Sequence, residues 1–91
     1  MRNREFFIEG GLKKTLRKLE RKDKETYEAV LKKIDEIICC EDVNHYKNLK
    51  YPLQAFKRVH INGPFVMVFA YIESKDTVVF CKLKHHDNIY A

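Results

Sequence analysis

Two histidines and an arginine in the second half of the chain carry side chains that could cut RNA without a metal ion. Arg58 and His60 are two positions apart, and His86 lies close to the end of the chain. Cleavage needs a base for the 2′-hydroxyl, an acid for the leaving 5′-oxygen and fixed positive charge beside the phosphate. Histidine, with an ordinary pKa of about 6.5, can be either base or acid near neutral pH. Lys82 and Lys84 could add positive charge, and the aromatic Tyr90 could stack a base, so these six residues form a constellation that could carry such chemistry.

Other cationic side chains in the same half could hold the RNA backbone. Alternate residues of a strand share a face, so Arg58 and His60 form one ladder, and Lys82 and Lys84 form another. Two such ladders on neighbouring strands would make one basic patch. The candidate RNA-binding residues are His45, Lys50, Lys57, Lys82, Lys84 and His85.

The charge of the chain is concentrated in its second half. The formal net charge is +5 over 91 residues. Residues 1–44 carry 11 basic and 10 acidic side chains, whereas residues 45–91 carry 7 basic and 3 acidic ones together with all four histidines. We therefore expect an anionic partner to meet the second half, either nucleic acid or an acidic protein. A basic surface that only contacts solvent is the alternative.

Several other site classes find no support in the sequence. There is no glycine-rich phosphate loop and no pair of catalytic carboxylates, and we expect no cofactor. The run His85-His86-Asp87 suggests a metal, but adjacent residues in a strand point to opposite faces, so we expect no metal site.

The cellular location is expected to be the cytoplasm. The cysteines at positions 39, 40 and 81 are odd in number and lack a CxxC spacing, as is typical of reduced thiols. The first residues do not form the apolar region of a signal peptide. The longest apolar run, residues 65–72, is far shorter than the roughly 20 residues that span a membrane.

Two helices and a set of strands must position the candidate residues. Arg4 to Glu9 predicts an opening strand, closed by Gly10-Gly11. Leucines at 12, 16 and 19 then form one helical stripe, and Asp23 is placed to cap a second helix whose apolar residues between 27 and 38 keep the same spacing. From residue 53 the period becomes two, which predicts strands over 53–61, 65–72 and 77–83.

These elements indicate one α+β domain over residues 1–91, with a helical hairpin against a sheet. The strand at 65–72 is apolar on both faces, so both must be covered. One face can pack under the helices. The other is expected to be covered by the tail of the chain, a partner peptide or a hydrophobic substrate surface.

Several motifs together resemble the RelE/ParE toxin superfamily over almost the whole chain. Residues 45–53, HYKNLKYPL, followed by FKRVH at 56–60, are similar to the family's Leu-Lys-Gly-x-Leu linker and basic strand. Residues 85–90, HHDNIY, are similar to its closing Gly-His-Arg-x-x-Val-Tyr pattern. The resemblance implies a RelE-like α+β fold, in which two N-terminal helices pack on one face of a twisted antiparallel sheet.

The resemblance also implies a function: a type II toxin that cleaves mRNA in the ribosomal A site and is neutralised by a RelB-like antitoxin. Arg58 and His60 match the two basic positions of the family strand, His86 matches the closing arginine, and Tyr90 matches the final aromatic. The resemblance therefore implies that these four residues are the catalytic candidates. Histidines at 60 and 86 are similar to those of the YafQ-type branch, which implies an acid–base pair of histidines in a metal-independent endoribonuclease.

The sequence departs from the family pattern in two further places. The Tyr-Arg of the family's third strand is Phe65-Val66 here, and Tyr51 stands where the linker has glycine. Loss of the family arginines at 66 and 86 keeps one alternative open: a ParE-like toxin that inhibits DNA gyrase by protein binding. A further alternative is a non-toxic binding module whose basic face holds an acidic or nucleic-acid partner.

Overall fold

A computed structural model describes residues 3–89, which fold into two helices and four strands. The elements are β1 (Glu5–Ile8), α1 (Gly10–Lys22), α2 (Lys24–Cys39), β2 (Lys57–His60), β3 (Phe65–Ile72) and β4 (Thr77–His85). The predicted bounds of β3 agree with the structure, whereas β2 is shorter than predicted and β4 is longer. In the described range no helix has both the length and the apolar character to cross a membrane.

The helical hairpin forms where the sequence predicts it. Leu12 and Leu16 are buried on α1. The side chain of Asp23 accepts a hydrogen bond from the backbone N–H of Thr26 and so caps α2. Gly10 and Gly11, however, do not close the opening strand as predicted. They form the first turn of α1, because starting the helix there carries Leu12 into the core at 1% exposure.

The four strands form one sheet in the order β1-β4-β3-β2. Strands β2, β3 and β4 are antiparallel neighbours, as predicted. Strand β1 pairs parallel with β4. A parallel pair requires a long crossover, and here the helical hairpin together with β2 and β3 connects the two strands. The α+β fold with both helices on one face is confirmed, and the opening strand makes the sheet mixed.

The core lies between the helices and one face of the sheet. Met67 and Phe69 of β3 and Val78 and Phe80 of β4 are each fully buried. They pack in one cluster with the apolar residues of both helices: Leu12, Leu16, Val30, Ile34, Ile37 and Ile38. This cluster identifies the face of the sheet that the helices cover.

The opposite face of the sheet carries the basic residues in two rows. In the first row Arg58 is opposite Val68, which is opposite Lys82. In the second row His60, Val66 and Lys84 follow the same order. Because β3 lies between β2 and β4, the two cationic ladders are not on adjacent strands as the sequence suggested, and a strip of valine separates them.

The chain itself covers the middle of this second face. Leu49, Leu53 and Phe56 of the connection before β2 and Ile89 near the end of the chain line a small cavity of about 60 Å³ over Val68 and Lys82. Val66 and Val68 are accordingly buried, at 1% and 4% exposure. The sequence left open what covers this face, and part of the answer is the connection together with the end of the chain.

Candidate nucleic-acid interface

An open cleft of about 220 Å³ brings together three of the four catalytic candidates. It is lined by Lys50, Arg58, His60, Val66, His86 and Ile89. A second cleft of about 430 Å³ adjoins it, and Arg58 and His60 line both. Arg58 and His86 are 28 positions apart in the sequence and yet line one surface. They meet because the β3–β4 hairpin returns His86 to the end of the sheet where β2 also ends.

Strand β2 holds Arg58 and His60 at the rim of the sheet. Its backbone pairs with β3 on one side, and on the other the N–H of Arg58 donates to the carbonyl oxygen of Lys47 at 3.0 Å. Within residues 3–89, the side chains of Arg58 and His60 make no hydrogen bond or ion pair. Both side chains can therefore turn toward a ligand without breaking an existing interaction.

The ring of His86 is held by its neighbour in the sequence. Strand β4 ends at His85, and residues His86–Asn88 form a 3₁₀ turn whose first N–H donates to the carbonyl oxygen of Pro64 at 2.8 Å. Nδ1 of His86 lies 2.9 Å from Oδ1 of Asp87. At this distance the carboxylate and a protonated ring form an ion pair.

A metal site was not expected at His85 and His86, because adjacent residues in a strand point to opposite faces. The strand ends between them, so their rings do not alternate but lie with centroids 4.9 Å apart. Ligand atoms of His85, His86 and Asp87 all lie within 4.8 Å of one another. The geometric reason for excluding a metal there is therefore wrong.

The predicted lysines separate into two groups. Lys82 is exposed on the face that carries Arg58, Lys84 occupies the same face, and Lys50 lines the cleft. Lys57, in contrast, points to the helix side opposite Phe69 and is only 5% exposed. Its ammonium donates to the carbonyl oxygen of Tyr46 at 3.2 Å and to Oδ1 of Asn48 at 3.1 Å. Strand alternation therefore places Lys57 on the face opposite to Arg58, away from the cleft, and the structure does not bring it together with the other predicted RNA-binding residues.

The remaining predicted residues lie around the cleft or beyond the described range. His45 lines the adjoining cleft, where its ring lies against Tyr46 with centroids 4.0 Å apart and its Nδ1 is 2.6 Å from the carbonyl oxygen of Asp42. His85 is outside the lining of the cleft, although its ring touches that of His86. Tyr90 lies outside the described residues.

Two residues at the site were not among the sequence candidates. Asp87 lies within ion-pair distance of the ring of His86. Its position directly after two histidines is the sequence feature that could have identified it. Tyr46 lines the adjoining cleft and donates from its hydroxyl to Glu36 on α2 at 2.8 Å. Burial, with help from that carboxylate, raises the pKa of Tyr46, and the same hydrogen bond lowers the pKa of Glu36.

Comparison with known proteins relates this arrangement to a family. No protein-family profile matches the chain. The chain is 49% identical over 86 residues to the RelE4 toxin candidate of Methanocaldococcus jannaschii, covering 94% of this chain and 89% of that protein. It is also 42% identical over 83 residues to an uncharacterized protein of Methanosarcina mazei, covering 91% of this chain and 94% of that protein.

Solved structures share the fold at much lower sequence identity. The toxin–antitoxin complex RelBE2 of Mycobacterium tuberculosis matches with a TM-score of 0.73 and 18% identity, covering 93% of both chains. The DinJ–YafQ toxin–antitoxin complex of E. coli matches with a TM-score of 0.65 and 10% identity, covering 98% of this chain and 99% of that one. On the strength of the close relative in M. jannaschii and the shared fold, the chain belongs to the RelE family of toxins.

Proposed function

We propose that this protein is the toxin of a type II toxin–antitoxin system and that it is an endoribonuclease acting on mRNA bound to the ribosome. Membership of the RelE family supports the first part. The second part is carried by one observation: Arg58, His60 and His86 line the same open cleft. A cleft with two imidazoles and a guanidinium has the groups that metal-independent RNA cleavage requires.

The reaction is a transesterification in which one histidine takes a proton and the other gives one. The base removes the proton of the 2′-hydroxyl, and the 2′-oxygen forms a bond to the adjacent phosphorus. The bond from phosphorus to the 5′-oxygen breaks, and the acid protonates that oxygen. The products are a 2′,3′-cyclic phosphate and a free 5′-hydroxyl, and His60 and His86 fill the two proton-transfer roles.

Positive charge on the same face stabilises the negative charge that gathers on the phosphate. The superfamily carries an arginine where this chain has Val66, which is buried at 1% exposure. Arg58 therefore supplies the guanidinium at the cleft, and Lys50 adds an ammonium to its lining. Lys82 and Lys84 extend the basic surface along β4 to hold the RNA backbone, and Tyr90 stacks a base.

Dependence on the ribosome follows from how few catalytic groups the cleft offers. A bound ribosome would fix the message against His60 and His86, which supplies orientation that the shallow cleft does not. Free RNA is then a poor substrate, and the site of action is the cytoplasm, where messages are translated.

An antitoxin of the RelB type is the expected partner. The solved structures with this fold include toxin–antitoxin complexes. The net charge of +5 favours an acidic partner chain. Phe7 on the edge strand β1 is 64% exposed and Ile72 is 40% exposed, so apolar surface is also present for such a chain to cover.

The test is primer-extension mapping of an mRNA in a translating extract, with the wild-type protein beside a His60→Ala/His86→Ala double variant. Lys14→Ala, on the exposed side of α1, is the matched control for loss of a basic side chain. New 5′ ends are expected on ribosome-bound message with the wild type and Lys14→Ala, and none with the double variant. An intact message with all three proteins would overturn the nuclease, and inhibition of DNA supercoiling by the same wild-type sample would then favour the gyrase alternative.

A further inference from the structure

We propose that His85, His86 and Asp87 form a binding site for a divalent transition metal such as Zn²⁺, and that a bound metal withdraws His86 from the cleft and inhibits the toxin. The proposed binding site is argued from the positions of the three side chains and does not depend on the proposed function. The inhibitory effect rests on the function proposed above.

The three side chains already lie close to the arrangement that a metal requires. A ligand atom from each lies within 4.8 Å of the other two. Ligands of a tetrahedral zinc, bound at about 2.0–2.2 Å, are roughly 3.4 Å apart. The side chains of His85, His86 and Asp87 are 41%, 51% and 70% exposed, so they can rotate over that short distance without disturbing the core.

The backbone at the end of β4 makes this convergence possible. His85 ends the strand, and the turn His86–Asn88 begins at once. The turn is fixed at two points: the N–H of His86 donates to Pro64, and the N–H of Asp87 donates to Nδ1 of His85 at 3.3 Å. A loop that is ordered before the ligand arrives reduces the entropy cost of binding.

The donor set selects the class of metal. Two imidazoles and one carboxylate, with the remaining positions open to water, suit zinc and similar transition metals, whereas magnesium and calcium prefer oxygen ligands only. Each carboxylate oxygen of Asp87 faces a different ring, with Oδ1 2.9 Å from Nδ1 of His86 and Oδ2 3.5 Å from Nδ1 of His85. The carboxylate thus lies between the two imidazole rings and supplies the negative charge that a cation needs.

Occupation of this site would change the cleft. His86 lines the cleft beside Arg58 and His60, and Asp87 holds its ring. A metal at this site coordinates a ring nitrogen of His86 and the carboxylate of Asp87 at the same time. The ring is then fixed in the metal site and no longer exchanges a proton with RNA, so cleavage falls while the fold is kept.

The binding half is tested by calorimetric titration of ZnCl₂ into the purified full chain without RNA. The wild type is expected to bind one equivalent, and His85→Asn and Asp87→Asn are each expected to weaken binding at least tenfold. Asparagine at 85 still offers an acceptor to the N–H of Asp87, so the turn is preserved. His45→Asn and Cys39→Ser/Cys40→Ser are the controls for another exposed histidine and for the thiols, and both should bind like the wild type. MgCl₂ should not bind.

Equal zinc affinity in the wild type and in both site variants, or loss of zinc binding in the cysteine variant, would overturn the site. The inhibitory half is measured as the ratio of mRNA cleavage with ZnCl₂ to cleavage with EDTA, for the wild type and for His85→Asn. A ratio well below one for the wild type and close to one for the variant supports it, and equal ratios overturn it. Absence of cleavage even with EDTA would overturn the proposed nuclease together with this inhibition, and the calorimetry would still decide the site.

Discussion

The guanidinium of Arg4 and the carboxylate of Asp76 are 72 positions apart in the sequence, yet Nε of Arg4 lies 2.7 Å from Oδ1 of Asp76. Arg4 also donates to the carbonyl oxygens of Cys40 and Glu41 after α2, and its side chain is 1% exposed. One buried side chain therefore ties the start of the chain to the end of α2 and to the β3–β4 turn.

Replacing Arg4 with methionine is expected to destabilise the fold. The change removes the ion pair of the buried guanidinium and leaves the carbonyl oxygens of Cys40 and Glu41 without this donor, so we expect a loss of about 3 kcal/mol in the free energy of unfolding. Urea denaturation followed by circular dichroism measures it. Arg17→Met on the exposed side of α1 is the control and should change stability by less than about 0.5 kcal/mol. Equal stability of the two variants would show that the Arg4 contacts contribute nothing.

The hydrogen bond from Tyr46 to Glu36 predicts a stability difference that depends on pH. The bond lowers the pKa of Glu36 below its ordinary value of 4.5. A carboxyl with a lowered pKa in the folded state stabilises the fold above its unfolded pKa, and this contribution disappears as the pH falls through the folded value.

We therefore expect Tyr46→Phe to be less stable than the wild type by about 1 kcal/mol at neutral pH. The difference should stay constant down to about pH 5 and then shrink in more acidic solution. Thermal melts of both proteins between pH 7 and pH 3 provide the measurement. A difference that grows on acidification would contradict the assigned role of Glu36.

Lys57 and Lys82 are predicted to have opposite roles, although both lie in strands of the basic half. Lys57→Ala removes two hydrogen bonds from a buried ammonium and should cost about 2 kcal/mol of stability. Lys82→Ala should leave stability within about 0.5 kcal/mol and weaken RNA binding, with a log–log salt slope shallower by about one. Denaturation curves and filter binding at several salt concentrations distinguish the two. A stable Lys57→Ala protein with weakened RNA binding would restore the sequence-based assignment.

Arg58 is predicted to act on the transition state. Removing a group that donates to the developing negative charge typically costs about 10²–10³-fold in rate, so Arg58→Ala should cleave ribosome-bound mRNA that much more slowly while its melting temperature is unchanged. Arg58→Lys should recover part of the rate, because it keeps the charge but loses the paired donors. Single-turnover cleavage on programmed ribosomes measures the rates. Wild-type cleavage by Arg58→Ala would remove this residue from the mechanism.

The sequence by itself determined where the helices and strands form. It also determined which residues share a side of each helix or strand. The spacing of Leu12 and Leu16 and the cap at Asp23 define the hairpin, because helix formation there depends on residues three or four positions apart. Alternation likewise puts Arg58 and His60 on one face of β2. Those rules act locally, so they can be applied without knowing which segments are neighbours in space.

Only the tertiary structure decided how the elements combine. Strand order put β3 between the two basic ladders, and the parallel pairing of β1 depends on a crossover that no local pattern specifies. Alternation along β2 predicts that Lys57 and Arg58 lie on opposite faces of the sheet. Only the packing of the helices shows which of these two faces is buried. The end of β4 at His85 turned His86 toward Asp87 and into the cleft, because the N–H of His86 donates to Pro64. These features depend on contacts between segments that are distant in the sequence. The pattern of residues within one segment does not contain information about the energies of those contacts.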